Sequence, residues 1–261
     1  VRLAEPESRH IYPLLEWPKG LSEAVLAGVY TAHGGHNFDG SEIAPLEERE
    51  LKEIAEKIGD GVDGVMVVSP FSIIYPDHEL EAVEVLREKL GPVPIMASHL
   101  MGKGGIVLRE STAVANVAII RAFKESLKTI KSAVEKIGLS ASLYIFQNDG
   151  TIANINYAAE YPLLNVKSEL AASLRGASFL TNIEDGAIAR IEKEKTAIGF
   201  LVRGFPREAD FYDLEGVPIN SRTPDMRVIV KRKRMITNED LEKLIDRIKM
   251  TPDDIPLMIT G

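Results

Sequence analysis

Two of the chain's 5 histidines stand three apart in the stretch HGGHNFDG, residues 33–40, beside an aspartate and among three glycines. Neutral imidazoles with a carboxylate are the mixed donors that suit zinc, manganese or iron. His33, His36 and Asp39 are therefore candidate ligands of a divalent metal ion, with zinc, manganese and magnesium as the candidate ions. The glycines would let the backbone wrap tightly around such an ion. The same spacing also reads as a β-turn in which Asn37 and Asp39 cap their own backbone and the histidines are solvated. A further ligand is sought at His99 in SHLMGKGG, residues 98–105, because it directly follows an expected strand. Residues at the carboxyl ends of strands in open α/β sheets face the binding crevice. His99 could equally hydrogen-bond a loop carbonyl.

Other polar groups are less specific. In FQNDGT, residues 146–151, an amide, a carboxylate and a glycine end a strand, and such a turn can hold a phosphate, a ribose or a divalent ion. It can also be an Asx-turn alone. Arg109 and Glu110 are expected just before a long helix, where Glu110 would either cap it or serve catalysis. VKRKRM, residues 230–235, is the dense basic run, expected on a strand edge where it discourages edge-to-edge pairing. His78 is expected on the surface at a helix start.

The elements that must position these groups follow from periodicity. Helical spacing of apolar residues predicts helices over 47–58, 79–90, 112–137 and 168–180. Short buried strands are expected over 62–68, 93–97 and 142–146, and their alternation with helices argues for parallel pairing. Later the pattern changes: 187–191 and 196–202 read as a hairpin across EKEK, with antiparallel ribbon in FYDLEG–VPIN. Thr237 is expected to cap a last helix over 238–250, and IPLMIT to close the chain as a strand. This gives an α/β protein with mixed sheets flanked by helices, in two lobes, 1–140 and 141–261.

The totals exclude several classes. With 261 residues the chain can bury a substantial core. A net charge of −8 and pI ≈ 5.3 repel a phosphate backbone, so no nucleic-acid partner is expected. The absence of cysteine excludes disulfides, thiolate nucleophiles and sulfur-ligated zinc. No run of about 18 apolar residues could cross a bilayer, and no membrane partner is expected. VRLAEPESRH lacks the basic-then-apolar design of a signal peptide, so a cytoplasmic setting is expected. Opening at Val1 without methionine is expected of an internal or trimmed segment. GxSxG and GxxxxGK[ST] signatures are missing.

Nine stretches, taken in order, resemble the ATP-dependent hydantoinase/oxoprolinase family: LLEWP, HGGHNFDGSEIAPL, GVDGVMVVSPFSIIYPDHE, SHLMGKGGIVLRESTAVANVAI, YIFQNDGTI, AEYPLLNVKSELAASLRGASFLT, GFLVRGFPRE, RTPDM and LIDRIKMTPDDIPLMITG. The resemblance covers most of the chain. It implies an actin-like, RNase H-like two-lobed fold, here with an incomplete first lobe, and a hydrolase that opens hydantoins or 5-oxoproline at the expense of ATP. It implies a small cyclic amide as substrate and a second hydantoinase-type subunit, or further copies of the chain, as partner. Asn148, Asp149, Gly150, Arg175, Gly176 and Thr196 would line the nucleotide or substrate cleft. The phosphate loops depart from the family pattern. Its first glycine hairpin would precede Val1, and its second falls at RIEKEKTA, residues 190–197, where only Thr196 matches. Charged side chains there fill the space of an oxyanion, which argues against ATP binding by this chain and for a non-catalytic scaffold of the same fold.

Overall fold

The computed structural model of the chain describes residues 1–5, 10–192, 195–209, 211–230 and 256–260. The first 140 residues hold β1 (Arg2–Leu3), α1 (Lys19–Val25), β2 (Thr31–Ala32), α2 (Glu48–Ile58), β3 (Val65–Val67), α3 (Asp77–Leu90), β4 (Ile95–Ala97) and α4 (Ile106–Lys136). Then follow β5 (Tyr144–Phe146), β6 (Ile152–Asn154), α5 (Ile155–Glu160), α6 (Ser168–Thr181), β7 (Gly186–Ile191), β8 (Lys195–Val202) and β9 (Phe205–Pro206). The last strands are β10 (Tyr212–Leu214), β11 (Val217–Ile219), β12 (Met226–Val230) and β13 (Leu257–Thr260).

These elements form two compact units. One comprises Val1–Ser140, Ala159–Leu163 and Phe211–Ser221; the other comprises Ala141–Ala158, Leu164–Asp210 and Arg222–Gly261.

In the first unit β1 pairs parallel with β2, and β3 parallel with β4. A parallel bridge between Arg2 and Val68 joins the two pairs. β3 and β4 are short, apolar and largely buried, as parallel strands covered by helices are. Leu3, Val65, Val67 and Ala97 pack with Leu51, Ile54 and Ala55 of α2 and with Ala82, Val83 and Leu86 of α3. α2 stops at Gly59 and α3 at Gly91, both with positive φ, where a glycine leaves the helix without strain. The antiparallel β10–β11 ribbon packs against α4 in this unit.

The second unit is built on a mixed sheet in the order β12–β8–β7–β13, with β9 also on β8. β7 and β8 form the expected antiparallel hairpin, and β13 runs parallel to β7. α6 covers the sheet through Leu170, Leu174 and Ala177 against Ile188, Ala197 and Leu201.

Three expectations need correction. The strand 142–146 does not extend the parallel pair: β5 pairs antiparallel with β6, because Gln147–Thr151 closes a tight turn, Gln147 N donating to Thr151 O at 2.8 Å. The long helix begins at Ile106 rather than 112, so Arg109 and Glu110 lie inside it and are buried. Glu110 therefore does not cap it; its carboxylate takes Arg2 Nε at 2.8 Å and Nη2 at 2.6 Å. The expected helix 238–250 with its cap Thr237, the basic run 231–235 and residues 193–194 of EKEK lie outside the described residues. Among the described residues no helix is long and apolar enough to cross a membrane.

Candidate functional site

The stretch 33–43 folds into a small hairpin. His36 and Glu42 face each other across an antiparallel bridge, with Asn37 N donating to Ser41 O at 2.8 Å and Ile43 N to Gly35 O at 2.9 Å. Gly34, Gly35 and Gly40 all have positive φ. A Cβ on Gly34 would stand 3.0 Å from Leu46 Cδ1, and one on Gly40 would stand 2.9 Å from the Tyr75 ring. The hairpin can fold here only because these positions lack side chains.

The bridge puts His36 and Glu42 on one side, and α3 brings His78 to them from its first turn. The rings of His36 and His78 lie 4.3 Å apart, centroid to centroid, and His78 Nε2 is 3.5 Å from Glu42 Oε1. Among the described residues, His36, Glu42 and His78 are the group of potential ligands whose donor atoms all lie within 4.8 Å of one another. Both imidazoles are buried, and His36 Nδ1 meets no hydrogen-bond partner among the described residues. Burial, and then the neighbouring His78, lower the pKa of His36 and keep its ring neutral. A buried, unpartnered nitrogen of a neutral imidazole offers a divalent ion its lone pair when the ring proton sits on Nε2, and the set fits one. His78 restricts that fit. Its Nδ1 accepts the Gly35 amide at 2.9 Å, so the proton of the neutral ring sits on Nε2, facing Glu42. His78 can ligate through Nε2 only if the Gly35 bond opens and the proton moves to Nδ1.

The other predicted ligands go elsewhere. His33 is exposed, its Nδ1 3.1 Å from Glu50 Oε2. Asp39 caps Ser41, accepting from its N at 3.0 Å and its Oγ at 2.7 Å; the Ser41 hydroxyl, then the backbone amide, hold the Asp39 carboxyl below its usual range. His99 is held by Glu79, which its Nδ1 approaches at 2.7 Å. Only His36 of the predicted quartet sits in the cluster. Glu42 and His78 were missed, and His78 is buried rather than on the surface. The usable signal was the pair His78–Glu79 at the start of a helix just beyond a strand.

Beside this cluster lies a second buried network. Glu79 takes Ser69 N at 2.7 Å and Ser98 Oγ at 2.6 Å on one oxygen, and His99 N at 3.0 Å on the other. Arg109 Nε donates to Ser98 Oγ at 2.9 Å, and its Nη2 to Ser69 O. Gly102 allows this, since a Cβ there would stand 2.9 Å from Arg109 Cα. Burial opposes ionisation of Glu79 and is the largest single effect, but the donors led by His99 and Ser98 outweigh it and lower its pKa.

In the second unit Asp149 caps Thr151 N at 2.9 Å and accepts from Thr151 Oγ1 at 2.6 Å, while Asn148 N donates to Leu164 O at 2.7 Å. Gly150, at φ +82, lies against Arg175 and Pro206: a Cβ would meet Arg175 Cγ at 3.0 Å and Pro206 Cδ at 2.6 Å. Arg175 is engaged by the Gly204 carbonyl and lies 4.0 Å over the Phe205 ring. Gly176 has open space around it. Thr196 is wholly buried, and its hydroxyl meets no partner among the described residues. The hairpin ends beside it are paired locally: Glu192 N donates to Lys195 O at 2.9 Å, and Arg190 bonds Glu192 at 2.9 Å.

Two adjoining family models match: the hydantoinase/oxoprolinase N-terminal region over residues 5–90, and the hydantoinase/oxoprolinase region over 109–190. The chain belongs to the hydantoinase/oxoprolinase family. It is 30% identical over 147 residues to Uncharacterized protein MJ0964 of Methanocaldococcus jannaschii, a match covering 56% of this chain and 22% of that protein. Two solved structures share its fold at a TM-score of 0.62. One is a nucleotide-free acetone carboxylase, studied for ATP-dependent acetone carboxylation, at 13% identity over 88% of this chain and 36% of that one. The other is the ATP-dependent caprolactamase from Pseudomonas jessenii, at 18% identity over 88% and 35%. This hydantoinase/oxoprolinase-family chain thus spans about a fifth of the curated relative and just over a third of each solved chain.

Proposed function

We propose that this chain is part of a cytoplasmic hydrolase that opens a small cyclic amide of the hydantoin or 5-oxoproline type with ATP, on a two-lobed actin-like frame. A lactam without ring strain is a poor electrophile, and phosphorylating its oxygen makes it a good one. Such chemistry needs a polar seat for the amide and a cation near the developing charge. The observation that carries the reading is the orphaned, neutral His36 Nδ1 inside the His36–Glu42–His78 group. A zinc, manganese or magnesium ion held there would act as Lewis acid on the amide oxygen.

The nucleotide side is where the second reading arises, a scaffold of the same fold that has lost ATP. It is favoured by Glu192, whose side chain bonds Arg190 and lies 3.6 Å from Lys195 in the hairpin where backbone would have to approach phosphate. Completion of the site is assigned to a second hydantoinase-type subunit or a further copy of the chain. Calorimetric titration separates the readings. Manganese or zinc is expected to bind this chain with an affinity that His36→Ala reduces at least tenfold, while ATP–Mg²⁺ gives no heat without the partner subunit. Metal binding indifferent to His36→Ala would overturn the site, and tight ATP binding by the chain alone would overturn the reading of the altered hairpin.

A further inference from the structure

His99 has an environment its sequence neighbours do not reveal. Glu79 is wholly buried, and its carboxylate is surrounded by donors: two backbone amides, the Ser98 hydroxyl and the His99 ring. Ser98 has no second proton to spare, because its hydroxyl accepts Arg109 Nε and so gives its own hydrogen to Glu79. The carboxylate can therefore only accept, which fixes the proton of neutral His99 on Nδ1. The lone pair then lies on Nε2, the opposite edge of the ring. His99 N and Nδ1 are bound to the same oxygen of Glu79, so the backbone amide fixes where that oxygen sits and the ring loses its bond to it if Nδ1 turns away. Its side chain keeps 13% exposure, enough to leave an edge within reach of a ligand. The ring also stands directly after β4, at the end of the parallel strands where crevices collect ligands.

We propose that His99 is a preset proton acceptor whose Nε2 takes the N–H or O–H of a bound ligand, with Glu79 as its positioning residue. A buried carboxylate that holds Nδ1–H does the same for the base of hydrolytic triads, fixing the tautomer and favouring the ring once protonated. His78, the residue before Glu79, has the opposite tautomer, since its Nδ1 is an acceptor. The two histidines are thus set in opposite senses, His99 by Glu79 to offer a lone pair and His78 by the Gly35 amide to offer a proton. The cyclic amide, with an N–H beside its carbonyl, is the ligand class that such an acceptor recognises; this identity rests on the function proposed above, whereas the acceptor itself does not.

Long-range ¹H–¹⁵N spectra of the histidine-labelled chain test the acceptor. His99 is expected as the Nδ1–H tautomer and His78 as the Nε2–H tautomer, and diethyl pyrocarbonate is expected to acylate Nε2 of His99. A His99 protonated on Nε2, or one left unmodified while exposed His33 reacts, overturns the proposal. Hydantoin is the second probe. It is expected to shift the His99 Nε2 resonance, and His99→Gln to weaken its binding roughly tenfold, the scale of one lost hydrogen bond with its unpaired partner. If acylation and tautomer hold but hydantoin moves no histidine signal, the acceptor stands and the cyclic-amide assignment falls.

Discussion

Replacing Glu79 by Gln changes one atom in the core of the first unit, and its cost can be worked from the contacts. One carboxylate oxygen serves Ser69 N and Ser98 Oγ, the other His99 N and His99 Nδ1. A carboxamide keeps a single acceptor oxygen, and its NH₂ must face one of those pairs. Placed toward His99, the NH₂ can donate to Nδ1 if the ring switches its proton to Nε2, which leaves the His99 amide unmatched. Placed toward Ser69, it leaves that amide unmatched and confronts a hydroxyl already accepting Arg109. An unsatisfied buried amide costs about 1–3 kcal/mol, and a lost bond to a charged acceptor about 1.5–3 kcal/mol. The first arrangement is cheaper, and the two costs sum to about 2.5–6 kcal/mol, which brackets the about 3–5 kcal/mol expected for removing one partner from a buried charged pair. The chain's single tryptophan, Trp17, is buried in this unit and donates to Ser111 Oγ at 2.6 Å, so its fluorescence reports this unit's unfolding. Urea melts of Glu79→Gln should show the unfolding free energy falling by that amount, as a lower midpoint at constant slope, with the His99 tautomer inverted. A loss below about 1 kcal/mol, or an unchanged tautomer, would refute the reasoning.

Gly34→Ala forces a side chain into φ +131 and against Leu46, and should cost about 1–3 kcal/mol in the same urea assay. Thr196→Val removes a buried hydroxyl that meets no partner among the described residues, so stability should hold or rise by up to about 1 kcal/mol; a loss above about 2 kcal/mol would mean the hydroxyl is used by the fold. His36 is depressed in the fold, so the unfolded chain takes its proton first, near the ordinary value of about 6.5. Its contribution is complete above that pH and is lost as pH falls toward the lower folded value, a slope that urea melts from pH 8 to 5 should show and His36→Gln should flatten.

Much of the frame was legible because periodicity records burial. α2, α3, α6 and the β7–β8 hairpin fall near their predicted spans, since Leu51, Leu86, Leu174 and Ile198 recur where a core face demands them. The site was not, and the reason is physical. Metal-ligand spacing in sequence pointed to His33 and Asp39, but a hairpin with a bridge at His36 and Glu42 turns those two away and satisfies each locally. The neighbour His78 comes from α3, more than thirty residues on, and no periodicity encodes which loop a helix start will face. The start of α4 was misplaced for a related reason. Arg109 and Glu110 look like surface charges in a sequence, and only the buried Ser98, Ser69 and Arg2 contacts make a helix interior of them.

The first unit closes late in synthesis. Ser111 Oγ, which accepts Trp17, donates to Pro218 O at 2.6 Å, and Asn220 N donates to Thr112 Oγ1 at 2.7 Å. The β10–β11 ribbon that covers this stretch of α4 leaves the ribosome only after the whole β7–β9 region has emerged. Until then the nascent unit must hold α4 with one flank bare, and a chaperone that binds there would have to leave before the ribbon docks. The same wiring constrains evolution: a recombination breakpoint at 140, which looks harmless along the chain, would deliver the helix without its cover, so this unit is inherited together with the segment interrupting it.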